Sequence, residues 1–170
     1  NQGRKLNVPY ATPLLGGVID DDCRHSSKTF SQAYQYAVDT MGAPVAFGTD
    51  FNGVAGHVGP RFGNDACGGA VPFSVEVGST IERSSQLRIG KKLRYPFSSK
   101  YFGTLDKQAT GQKIFDFNVD GLAHVGLMPD LVNDMQNVGL NGNYMNAVFN
   151  SAEEYVRVWE RAKAISENTA

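Results

Sequence analysis

The stretch PVAFGTDFNGVAG, residues 44–56, limits the folds open to this chain more than any other part of it. Residues 43–47 form a short, nearly unbroken apolar run, the pattern of a parallel strand buried on both faces beneath helices. The run ends at Gly48-Thr49-Asp50 and turns at once through Phe51-Asn52-Gly53. A strand of this kind needs parallel neighbours. The 170 residues offer no second convincing run of that type, except 13–19. The sequence therefore predicts a portion of an α/β fold, with the rest of the sheet supplied by another chain or a missing segment.

In open α/β sheets and (β/α)8 barrels, chemistry sits at the carboxyl ends of the strands. Asp50, last in its strand, stands on that rim. Two readings follow from the residues alone: a catalytic or metal-binding carboxylate, or an Asx-turn or helix-cap aspartate of the sort common after strands.

The flanks fit an α/β unit. Residues 1–22 read as an irregular arm broken by Pro9, Pro13 and Gly16-Gly17, and Asp20-Asp21-Asp22 read as a solvated turn at a helix entry. A helix follows, with Ser26, Ser27 or Thr29 as N-cap and Gly42 at its C-cap; Phe30, Ala33, Tyr34, Ala37, Val38 and Met41 keep helical spacing. From Val54 to about Gln112 glycines multiply and Phe73-Ser74-Val75-Glu76-Val77 alternates, which predicts a long insertion with short strands or hairpins. The last third is helical: Pro129 suits a first helical position, with Leu131, Val132, Met135 and Val138 on one face. A second helical run from Asn143 onward carries Phe149 and Trp159 as expected core residues.

Composition excludes some partners. Sixteen basic residues balance 17 acidic ones for a net charge of −1, which argues against broad capture of nucleic acid or an anionic membrane. The cluster Arg83, Arg88, Lys91, Lys92 and Arg94, interleaved with Ser and Gln, reads as a solvated loop or hairpin. No apolar run approaches the roughly 20 residues needed to span a bilayer. The chain starts at Asn1 without a Met and without a leader pattern, so its start is expected to be processed or removed. Cys23 and Cys67 can form one bridge in an oxidising compartment or stay as free thiols; a secreted or periplasmic location is open.

GTDFNGV, residues 48–54, resembles the Gly-x-Asp-Phe-Asp-Gly-Val segment that ends the eighth barrel strand of membrane (renal) dipeptidase-like enzymes of the amidohydrolase superfamily. GLAHVGLMPDLVNDMQNVGLNGNYMNAVFNSAEEYVRVWE, residues 121–160, resembles the family's closing region through Pro129-Asp130-Leu131, the SAEEYVRVWE helix and Asn150. The helix SSKTFSQAYQYAVDTMG fits the one preceding strand eight. The resemblance implies the C-terminal part of a (β/α)8 barrel in one unit: 1–53 the last helix and strand, 54–112 the insertion, 113–170 the closing segment and helices. It implies a zinc-dependent hydrolase of amide or peptide bonds, incomplete on its own, whose partner is the N-terminal portion of the same barrel. The alternative is a non-catalytic carbohydrate- or protein-binding module on that scaffold. The resemblance gives Asp50 the role of orienting or deprotonating the attacking water beside two zinc ions, and a share in the metal site. The other metal ligands of the family are not found in this chain. Asn52 stands where the family has Asp and is expected to shape the turn or touch substrate. His57, Arg61 and His124 are the remaining candidate substrate contacts, Arg61 because its fork suits a carboxylate, while His25 reads as a surface or cap residue.

Overall fold

The structure, a computed structural model, describes residues 23, 25–48, 57–68 and 90–167. The predicted first helix is present as α1, Ser27–Met41. Ser26 is its N-cap: its Oγ accepts from the Lys28 N–H, and Thr29 Oγ1 accepts in return from the Ser26 N–H. Gly42 closes the helix in a left-handed conformation (φ 58°). Phe30, Ala33, Tyr34 and Ala37 form its buried stripe.

The segment 43–48 forms no multi-residue strand. It is extended chain with Val45 fully buried and a single bridge position at Ala46. Helix side chains satisfy backbone groups that a ladder would otherwise pair: Tyr34 Oη donates to the Val45 carbonyl at 2.6 Å, and the Phe47 N–H donates to Ser151 Oγ at 2.8 Å. The Phe47 ring meets Phe30 and Tyr34 edge-on, with centroids 5.6 and 6.3 Å apart.

Two short hairpins lie between residues 97 and 114. Strand β1 (Phe97–Ser99) pairs antiparallel with β2 (Gly103–Leu105), and β3 (Ala109–Thr110) with β4 (Lys113–Ile114). They fit the short hairpins predicted for the insertion, although the second extends past residue 112. The alternating stretch 73–77 lies outside the described residues.

The closing region is helical as read: α2 (Phe117–Asp120), a 3-10 turn (Val125–Leu127), α3 (Met128–Asn137), α4 (Gly142–Phe149) and α5 (Ser151–Glu167). Pro129 lies in the first turn of α3. The long helical run is two helices, broken at Asn150, whose backbone N–H still bonds to the Asn146 carbonyl at 2.9 Å. Helices α1, α3 and α4 pack together around Tyr34, Leu131, Met135 and Met145, with Leu122 and Leu127 beneath. Helix α5 departs from expectation because it buries no residue: Trp159 is 59% exposed, with Tyr155, Val156 and Ile165 also exposed. Phe149 is partly buried and stacks on Tyr101 of the β1–β2 turn.

Candidate functional site

Asp50 and Asn52 lie outside the described residues. The chain is described again from His57, and its course there ties two regions together. The Leu122 N–H donates to the Val58 carbonyl at 2.8 Å, and the Phe62 N–H to the Asn118 carbonyl at 3.1 Å. On the other side, the Gly59 N–H donates to the His25 carbonyl at 2.5 Å, within a parallel bridge between Ser26 and Gly59. Gly121 makes this approach feasible. With φ 62°, a Cβ there would sit 2.5 Å from the Val58 carbonyl oxygen, 2.6 Å from Gly59 C and 2.8 Å from Pro60 N.

Arg61 enters the interior from this segment, 2% exposed. Its Nε donates to Asp134 Oδ2 at 2.9 Å and its Nη2 to Asp134 Oδ1 at 2.6 Å, a bidentate fork. Nε also reaches Ser27 Oγ, and Nη2 donates to the Lys91 carbonyl at 2.8 Å. Ser27 Oγ in turn donates to Asp134 Oδ2, and Asn137 Nδ2 to Asp134 Oδ1. The carboxylate on the fork in this structure is therefore the chain's own. Nη1 is buried, with no hydrogen-bond partner among the described residues.

His124 caps the 3-10 turn. Its Nδ1 accepts from the Gly126 N–H at 3.0 Å, so the neutral ring carries its proton on Nε2, 3.3 Å from Thr110 Oγ1. The ring stacks on Phe115 with centroids 5.2 Å apart. His57 is exposed, with Nδ1 3.2 Å from the Val58 carbonyl. His25 is exposed in a left-handed conformation (φ 58°) just before the α1 cap. Among the described residues, no group of three or more His, Cys, Asp or Glu could hold a metal ion. Zinc does not fit these residues by themselves, and no reaction step is assigned to them through it. The two cysteines, open between bridge and free thiols by sequence, form the disulfide Cys23–Cys67.

Sequence reading missed a second buried polar group. Tyr95 Oη donates to Asp130 Oδ1 at 2.5 Å and accepts from the Phe117 N–H at 3.3 Å. Burial raises the Asp130 carboxyl above its ordinary range, against the opposing pull of the Tyr95 hydrogen bond. Burial, followed by the Asp130 hydrogen bond and charge, pushes the Tyr95 hydroxyl up. The signal was present in α3: Asp130 and Asp134 are spaced i, i+4 alongside Leu131 and Met135, which places carboxylates on the apolar stripe. Asn118 is similarly placed, its amide accepting from the Leu93 N–H at 2.7 Å and donating to the Leu93 carbonyl at 3.0 Å.

The chain matches no family model, and neither a curated protein nor a solved structure shows significant similarity to it. Among the described residues, no helix is long and apolar enough to cross a membrane.

Proposed function

We propose that this chain is the C-terminal part of a metal-dependent hydrolase of the membrane dipeptidase type, cleaving amide or peptide bonds, and that a separate N-terminal portion completes the site. The observation that carries this reading is the backbone stitch between 57–62 and 118–122. It joins residues that follow the stretch 48–54 to the start of the closing stretch 121–160, and 48–54 and 121–160 carry the motifs that resemble that family. The succession of α1, the buried Val45 run and α3 to α5 agrees with the order the resemblance implies.

In this reading Asp50 orients the attacking water and accepts its proton, a task for a carboxylate within hydrogen-bond reach of that water. Asn52 shapes the turn or touches substrate, and His57 and His124 are the candidate substrate contacts on either side of the stitch. Zinc, held on ligands outside this chain, would supply the acidity of that water. Helix α5, which has no buried residue, offers surface for the N-terminal portion. The test is hydrolysis of a panel of dipeptides and N-acylated amino acids by the complete assembly. Asp50→Ala should reduce the rate at least about a hundredfold, the lower end for loss of a general base, with unchanged Tm. Retained hydrolysis overturns the role of Asp50.

A second reading, a non-catalytic module binding carbohydrate or protein, is favoured by one feature. The β1–β2 turn exposes Tyr101 and Phe102, and the Tyr101 ring lies 3.6 Å from the Phe149 centroid, an aromatic surface of the kind used for stacking. A lone, metal-free chain that binds a glycan or protein and hydrolyses nothing would support it over the first.

A further inference from the structure

The disulfide joins two positions 44 residues apart in sequence, and the loop it closes contains α1, Val45 and Asp50. Around it the backbone is unusual. Cys23 (φ 67°), His25 (φ 58°) and Cys67 (φ 57°) are the non-glycine residues with positive φ among the described residues, and all belong to this corner. Side chains rarely tolerate that region, and such residues persist only where their surroundings impose it. Arg61 and Phe62 tie one side of the corner to Asp134 and Asn118, and further bonds lie closer to the disulfide. Ser26 Oγ donates to the Cys23 carbonyl at 2.6 Å, the Cys67 N–H to the Pro60 carbonyl at 3.0 Å, and the Gly59 N–H to the His25 carbonyl. Neither cysteine belongs to the apolar core built on α1, α3 and α4. Cys23 is buried, whereas Cys67 is partly open to solvent.

We propose that Cys23–Cys67 is a redox-controlled latch. Closed, it holds Cys23, His25 and Cys67 in their left-handed backbone; opened, it releases the exposed turn 63–68 while Arg61, Phe62 and the α1–α3–α4 core stay in place. A small dithiol is the reductant. Its thiolate attacks Cys67 Sγ from the open side, the S–S bond breaks, and Cys23 leaves as a thiolate that takes up a proton. The second thiolate of the reductant resolves the mixed disulfide and frees the Cys67 thiol. Two electrons and two protons pass to the protein, and the reductant leaves as a cyclic disulfide. In an oxidising compartment the latch stays closed. This inference does not depend on the hydrolase reading, because its readout is backbone exchange and not activity.

The test is hydrogen–deuterium exchange with mass spectrometry on the full chain, oxidised and then held in excess dithiothreitol, alongside the Cys23→Ser/Cys67→Ser variant. Amides of 63–68 should exchange at least tenfold faster after reduction, with those of α3 and α4 unchanged. The double variant should show the fast pattern with and without dithiothreitol. If that variant does not fold, reduction of the native chain decides alone. Unchanged exchange in 63–68, or equal acceleration in α3 and α4, would overturn the latch.

Discussion

Replacing Gly121 by alanine tests the contact on which the placement of the candidate site depends. The residue has a positive φ, and its missing Cβ would fall 2.5–2.8 Å from backbone atoms of Val58, Gly59 and Pro60. Those atoms cannot retreat without drawing the Val58 carbonyl away from the Leu122 N–H, a bond of 2.8 Å beside a side chain that is 0% exposed. At φ 62° and ψ −151° the backbone lies in a region almost exclusive to glycine, which costs an alanine about 1–3 kcal/mol. The buried donor left without its acceptor costs about 1–3 kcal/mol more. The expected loss is therefore about 2–6 kcal/mol, roughly 10 °C in Tm at the middle of that range for a chain of this size. Gly42→Ala is the uncrowded comparison: Gly42 has φ 58° and ψ 25° with nothing within 4 Å of its Cβ position, so it carries a left-handed backbone penalty and no clash. Thermal and urea unfolding of the two variants, followed by circular dichroism, isolates the close approach. If Gly121→Ala falls within about 0.5 kcal/mol of Gly42→Ala, the scatter expected between independent sites, the stitch does not hold the segments together.

Three further outcomes are expected. Arg61→Met leaves the Asp134 carboxylate, 1% exposed, without its cation, and urea unfolding should show a loss of about 3–5 kcal/mol; a loss under 1 kcal/mol, no more than an exposed pair contributes, would mean that the fork contributes little. The Asp130 carboxyl is raised by burial, so the native chain holds its proton more tightly than the unfolded chain. Its contribution is full below the ordinary carboxylate range near pH 4 and is lost as pH rises through the raised native value. Asp130→Asn, which still accepts from Tyr95, should therefore gain on the wild type between about pH 4 and 7, and a stability difference independent of pH would refute this. Trp159 is the chain's single tryptophan, and in the isolated chain its fluorescence should be quenched by acrylamide almost as freely as that of a small indole; strong shielding would place α5 against something.

What could be read from the sequence was local. Ser26 and Gly42 bound α1 because capping is settled within a few residues, and Pro129 marks the start of α3 for the same reason. The strand expected at 43–47 depended on an atom's choice of partner across the fold. Ser151 Oγ takes the Phe47 N–H, and no local pattern announces a partner 104 residues away. The apolar spacing of α5 looked like a core stripe because periodicity shows that a helix has an apolar face, not that anything covers it. Arg61 was singled out for its chemistry, and the structure gives its fork to Asp134, 73 residues on. The candidate carboxylate Asp50 was legible only from its place after an apolar run and from the family-like motif.

The account turns on whether another chain completes the site beside Asp50. Native and denaturing mass spectrometry of one preparation, with metal analysis, tests it most directly. The account predicts a second chain bound one-to-one and about two zinc ions per assembly, as in a two-metal hydrolase. A lone, folded, metal-free species of 18.4 kDa would contradict it.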